Sequence, residues 1–150
     1  MSKRIFFLVL TAIIFSYSAA YALMPPMTPE ELEQESDRVV IGKITKVECT
    51  GEYEDNNCVT QVGYKASLKV SKVLKGKKID EIDLYFDDYN YKGGCVGSPD
   101  REHYEGDEGK YYLECSKKNK CFLTHWNGVV HSKTGTTALP VCTGMKKRKK

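Results

Sequence analysis

The chain has 150 residues, 23 Lys and Arg against 20 Asp and Glu, and a formal net charge of +3. Its 41% hydrophobic content excludes a disordered chain. Without Lys3, Arg4 and the five basic residues that end the chain, 16 basic groups face 20 acidic ones, a net of −4; so mild an acidity argues against a nucleic-acid-binding face.

Residues 1–22 read as a secretory signal peptide. Lys3 and Arg4 form the basic start, 5–15 the apolar core, and Ala20-Tyr21-Ala22 the small-x-small cleavage site. The core is shorter than the roughly 20 apolar residues that a membrane span needs. Removing 22 of the 150 residues leaves 128, enough for one domain, taken as 23–143. The expected compartment is secreted or periplasmic.

Thr28 is placed to cap a helix, Pro29 suits its first position, and Glu31 completes a capping box, so a short helix is expected over 29–36. A Val- and Ile-rich strand follows over 38–49, with a bulge or close contact at Gly42. Val62, Tyr64, Ala66, Leu68 and Val70 alternate with Gln61, Gly63, Lys65, Ser67 and Lys69, the pattern of a half-buried strand. After a turn at Lys75-Gly76-Lys77-Lys78, Ile82, Leu84 and Phe86 alternate with Asp83, Tyr85 and Asp87 in a third strand. Residues 87–109 are glycine-rich and read as one long loop. A hairpin is expected over 110–115 and 121–126, then short extended pieces at 128–131 and 138–142. Residues 144–150 are read as a disordered basic tail. The resulting fold class is all-β: a small five-stranded Greek-key barrel of the OB type, with a short N-terminal helix.

Six cysteines in a small exported chain read as three disulfides, for which 15 pairings exist. Proximity along hairpins ranks Cys49–Cys58 and Cys115–Cys121 first, leaving Cys95–Cys142 as a long-range staple. These bridges would replace part of the core that so small a domain lacks.

The chemistry-bearing residues form no recognisable catalytic set. Of His103, His125 and His131, the first sits in a charged loop and the second on a strand face with Leu123, and catalysis would need a partner carboxylate, Cys or Ser placed by the fold. No zinc spacing of the Cys-x-x-Cys kind is present in the sequence. The acidic stretches Asp87-Asp88 and 100–108 lack the EF-hand glycine and read as solvated loop. Outside the tail the exported part holds only Arg38 and Arg101, too few for phosphoryl-transfer chemistry. The expectation is a monomeric, non-catalytic binding module with no cofactor, no metal and no nucleic-acid partner. Its candidate surface is the loop 87–109, held by Cys95 and carrying Tyr89, Tyr91, Arg101, His103 and Tyr104. The partner class is a protein or an envelope glycan. The basic run Lys146, Lys147, Arg148, Lys149 and Lys150 is a second candidate, for anionic surfaces.

Several segments carry a family likeness. Asp37-Arg38-Val39-Val40-Ile41-Gly42-Lys43-Ile44, then Leu68-Lys69-Val70-Ser71-Lys72-Val73-Leu74-Lys75-Gly76, then Gly93-Gly94-Cys95-Val96-Gly97, then Gly109-Lys110-Tyr111-Tyr112-Leu113 resemble strand and turn segments of the tissue inhibitors of metalloproteinases and their netrin-like relatives. Cys142 falls where that family closes its barrel with a cysteine. The likeness spans about 37–142 and implies an OB-type five-stranded barrel. It also implies the alternative function, metalloprotease inhibition. The family's inhibitors begin at a cysteine whose amine and carbonyl chelate the protease zinc. Here the expected terminus is Leu23-Met24-Pro25 and the first exported cysteine is Cys49. No chelating residue is therefore carried over, and inhibition would have to work without that cysteine.

Overall fold

The structure, a computed structural model, describes residues 25–95, 97, 102–116 and 120–148. The expected signal peptide and the terminus Leu23-Met24 lie outside the described residues. Among the described residues, no helix is long and apolar enough to cross a membrane.

Helix α1 spans Pro29–Glu35, and its start is the capping box that the sequence predicts. Glu31 N donates to Thr28 Oγ1 at 3.2 Å and Thr28 N donates to Glu31 Oε2 at 2.7 Å. The backbone hydrogen bond from Thr28, strengthened by its hydroxyl, holds the Glu31 carboxyl below its ordinary pKa.

The strands are β1 (Arg38–Asp55), β2 (Val59–Lys75), β3 (Glu81–Tyr91), β4 (Glu108–Cys115), β5 (Lys120–Leu123), β6 (Val129–Lys133) and β7 (Lys146–Lys147). Antiparallel pairing joins β1 to β2 and β2 to β3. Strand β3 then meets β5 in parallel, β5 pairs with β4, and β4 returns to β1. Five strands thus pair in a closed cycle. Outside it, β6 adds to β4 and β7 to β1.

β1 serves two neighbours because it bends. Its register slips at four places, including Ile41/Gly42 and Cys49/Tyr53. Each slip raises local twist and redirects the strand. Residues 38–43 lie between β2 and β4, whereas the rest runs on with β2 and meets β7 only at Glu52 and Tyr53. The expected strand 38–49 is therefore part of a longer one. The polar stretch after Cys49 continues in extended form to Asp55, because cross-strand hydrogen bonding satisfies its backbone.

Alternation sets the core. Ala66 and Leu68 of β2, Ile82 and Leu84 of β3, and Tyr111 and Leu113 of β4 are at most 1% exposed, beside Val40 and Ile44 of β1. Val39 points the other way and is also fully buried, because Leu32 of α1 and Tyr112 cover that outer face with Met27 beside them. The short helix is thus a lid on one patch of sheet.

Two of the three disulfides depart from hairpin proximity. The bridges are Cys49–Cys142, Cys58–Cys95 and Cys115–Cys121. Only the last joins the cysteines that proximity ranks together. Cys49 lies opposite Tyr64 across the hairpin, while Cys58 sits at its tip. Between them β1 runs on for six residues, about 20 Å at the usual rise. Cys58 instead meets Cys95 beyond the end of β3, and Cys49 holds the C-terminal segment.

The long loop is also shorter than expected. Residues 87–91 complete β3, so the connection runs from 92 to 107. Nor does the tail hang free as expected from 144. Lys146 and Lys147 pair with Glu52 and Tyr53, and Arg148 N donates to Tyr53 O at 2.7 Å. Backbone bonding and the Cys49–Cys142 bridge just before it offset the ordering entropy that a free basic tail would keep. Residues 149–150 lie outside the described residues.

Candidate functional site

A cleft of about 820 Å³ opens over the far half of β1, the middle of β2 and β3, and β5. Period-2 alternation builds it: Cys121 faces the core and Phe122 faces out, 49% exposed. Tyr85 of β3 lies beside Phe122, ring centroids 5.9 Å apart, and Lys120 Nζ sits 4.9 Å over the Tyr85 ring. Tyr64 and Phe86 stack at 5.5 Å with an interplanar angle of 18°. Burial pushes the Tyr64 phenol above its ordinary pKa, and Asp88 and Glu102 add to the shift. Trp126 and His125 line another part of the cleft, their rings 5.6 Å apart. His125 Nδ1 is 2.6 Å from Asn127 Oδ1, and Asn127 Nδ2 donates to Met27 O at 2.8 Å. Asn127 thereby ties the N-terminal segment to this rim.

The charged groups of the cleft neutralise one another. Arg148 Nη2 donates to Asp87 Oδ1 at 2.9 Å, and Arg148 Nε lies 3.6 Å from Glu52. The Asp87 hydrogen bond raises the Arg148 pKa further. Lys65 lies 3.5 Å from Glu48 and 3.8 Å from Asp83; the Asp83 charge is the main cause of its raised pKa. Three basic and three acidic lining residues therefore leave little net field.

The residues expected to form one binding loop are dispersed. Tyr89 and Tyr91 are on β3, stacked at 6.3 Å, and of the two only Tyr89 lines the cleft. Arg101 lies outside the described residues. Tyr104 is half-buried, and its N donates to Asp107 Oδ2 at 2.8 Å. His103 is not in a solvated loop at all: it is fully buried, its ring edge-on to Phe86 at 5.1 Å. Asp107, expected in a solvated acidic stretch, is fully buried too. Of the basic run, Arg148 enters the cleft rather than reaching for an anionic surface.

Phe122 and Trp126 were not singled out by sequence reasoning. A signal for Phe122 existed, since it alternates with the core positions Cys121 and Leu123. The closeness of His131 to His103 and Asp107 had none, because β4–β6 pairing creates it.

No family model, curated protein or solved structure matches the chain. What can be said of function rests on this geometry.

Proposed function

We propose that this protein is an exported, non-catalytic binding module on a small Greek-key barrel of the OB type, and that its cleft holds a neutral glycan chain. The reading makes it a netrin-like relative of the tissue inhibitors of metalloproteinases that lacks their N-terminal cysteine. The closed five-strand cycle, with its single parallel contact between β3 and β5, supports the barrel. Three disulfides fit an oxidising compartment.

The observation that carries the reading is the aromatic shelf Tyr85–Phe122 beside internally paired charges. A sugar ring offers an apolar face to such a shelf and hydroxyls to carboxylates, ammonium groups and phenols around it. Arg148 is already engaged by Glu52 and Asp87, and Lys65 by Glu48, so a neutral ligand is favoured.

Trp126 is the only tryptophan of the sequence, so its fluorescence reports on the cleft directly. Titration with neutral envelope oligosaccharides should shift its emission saturably. Phe122→Ala removes part of the shelf and should weaken binding about tenfold or more, since burying a Phe side chain is worth about 1.5–3 kcal/mol. An unchanged Trp126 spectrum across the oligosaccharides, or equal affinity in Phe122→Ala, would sink the proposal.

A further inference from the structure

We infer that His103, Asp107 and His131 form a binding site for a divalent transition-metal ion, with zinc as the leading candidate. One ligand atom from each lies within 4.8 Å of the others. His103 and Asp107 come from the connection before β4, and His131 comes from β6. Binding zinc at about 2.0–2.2 Å needs these atoms to close by about an ångström, within the reach of side-chain rotation.

The backbone fixes this neighbourhood. Ile44 N donates to Asp107 O at 2.8 Å, and Gly106 N donates to Ile44 O at 2.9 Å. Gly135 N donates to Asp107 Oδ1 at 2.5 Å and Tyr104 N donates to Oδ2 at 2.8 Å. A carboxylate has about four lone-pair sites, so two remain for an ion. His131 lies opposite Gly109 in the β4–β6 ladder. A side chain on Gly109 would stand 3.0 Å from His131 Cα and 2.5 Å from Val130 O, so glycine permits this approach.

The pointer to a ligand is His131 Nδ1, which is buried and has no hydrogen-bond partner among the described residues. A buried nitrogen left in that state bears its full desolvation cost. A metal ion gives its lone pair a partner. Tyr111 and Phe86 wall part of the site with aromatic rings, and so apolar a wall strengthens the ion–carboxylate attraction. Two imidazoles and one carboxylate form a donor set that zinc accepts, with a fourth position for water. All six cysteines are in disulfides, so thiolates do not compete.

The assignment is independent of the glycan cleft. The full exported chain, stripped with a chelator, should take up one Zn²⁺ by calorimetry, and its Tm should rise. Co²⁺ in its place should give the intense visible bands of a low-coordinate ion. His131→Phe keeps a ring against Tyr111 and removes both donors. Groups that only hydrogen-bond a metal's ligands are worth about 10- to 100-fold in metal affinity, so losing a ligand should cost at least about 100-fold. An unaltered affinity or Co²⁺ spectrum in His131→Phe overturns the assignment. If that variant does not fold, imidazole nitrogen NMR of the wild type decides. Zn²⁺ must shift the His103 and His131 ring nitrogens while leaving those of His125 in place; the opposite pattern, or none, overturns it as well.

Discussion

A Cβ on Gly42 would stand 2.6 Å from Lys69 O and 3.0 Å from Leu68 Cδ1. The first contact is with backbone, so Gly42→Ala must push β1 from β2 or distort the bulge there. Overpacking of this kind costs about 1–3 kcal/mol, and the urea midpoint should fall accordingly. Thr28→Ala should cost about 1 kcal/mol through the lost cap, again read from urea unfolding. The partner in that cap titrates with a definite sign. Glu31 has a folded pKa below its unfolded one, so its contribution is complete above the ordinary carboxylate range. It fades as pH falls from about 4.5 through the lowered value. The difference in stability between wild type and Thr28→Ala should therefore narrow in acid. Both sites were legible in the sequence, because a cap and a tight glycine contact depend on a few adjacent residues. His103 was not legible, since a histidine flanked by Glu102 and Tyr104 reads as exposed until Phe86, Tyr111 and His131 close around it.

The elements follow the same division. Alternation located β2, the first half of β3 and β4, because side chains in a strand change faces every residue. It did not locate the far ends of β1 and β3, where polar residues are held in extended form by ladder bonds alone. That error changed the cysteine pairing. Two cysteines at what looked like the mouth of one loop are separated by the length of an extended hairpin. Peptide mapping under non-reducing conditions should recover Cys49–Cys142 and Cys58–Cys95, and recovering Cys49–Cys58 would contradict the register of β1. Cys49–Cys142 spans 93 residues, for which the loop-entropy model gives a stabilisation of about 4–5 kcal/mol, an upper figure because unfolded chains keep some structure. Replacing both cysteines with alanine should lower Tm. It should also release amide protection at 146–148, while β2 and β3 stay protected.

At the level of the whole molecule, a basic pI of about 8.4 conceals an acidic body onto which Arg148, near the C-terminus, folds back. Arg148 closes one end of the cleft through Asp87 and Glu52. The pair side chains remain partly exposed, 35% for Arg148 and 24% for Asp87, so Arg148→Ala should cost no more than about 1 kcal/mol in global stability. It should nevertheless speed hydrogen exchange at 146–147 and leave the cleft with an acidic surplus, to be read by charge-dependent ligand titration. Local residue patterns are enough to give an all-β chain with a capped N-terminal helix, the composition of the core and the location of the turn at Gly76. Those features rest on periods and caps within a few residues. Which cysteines meet, the docking of the tail, the shelf of Phe122 and Tyr85, and the convergence of His103, Asp107 and His131 arise only in the folded chain. Each of these depends on register between strands distant in the chain, and a one-residue slip moves every side chain to the other face.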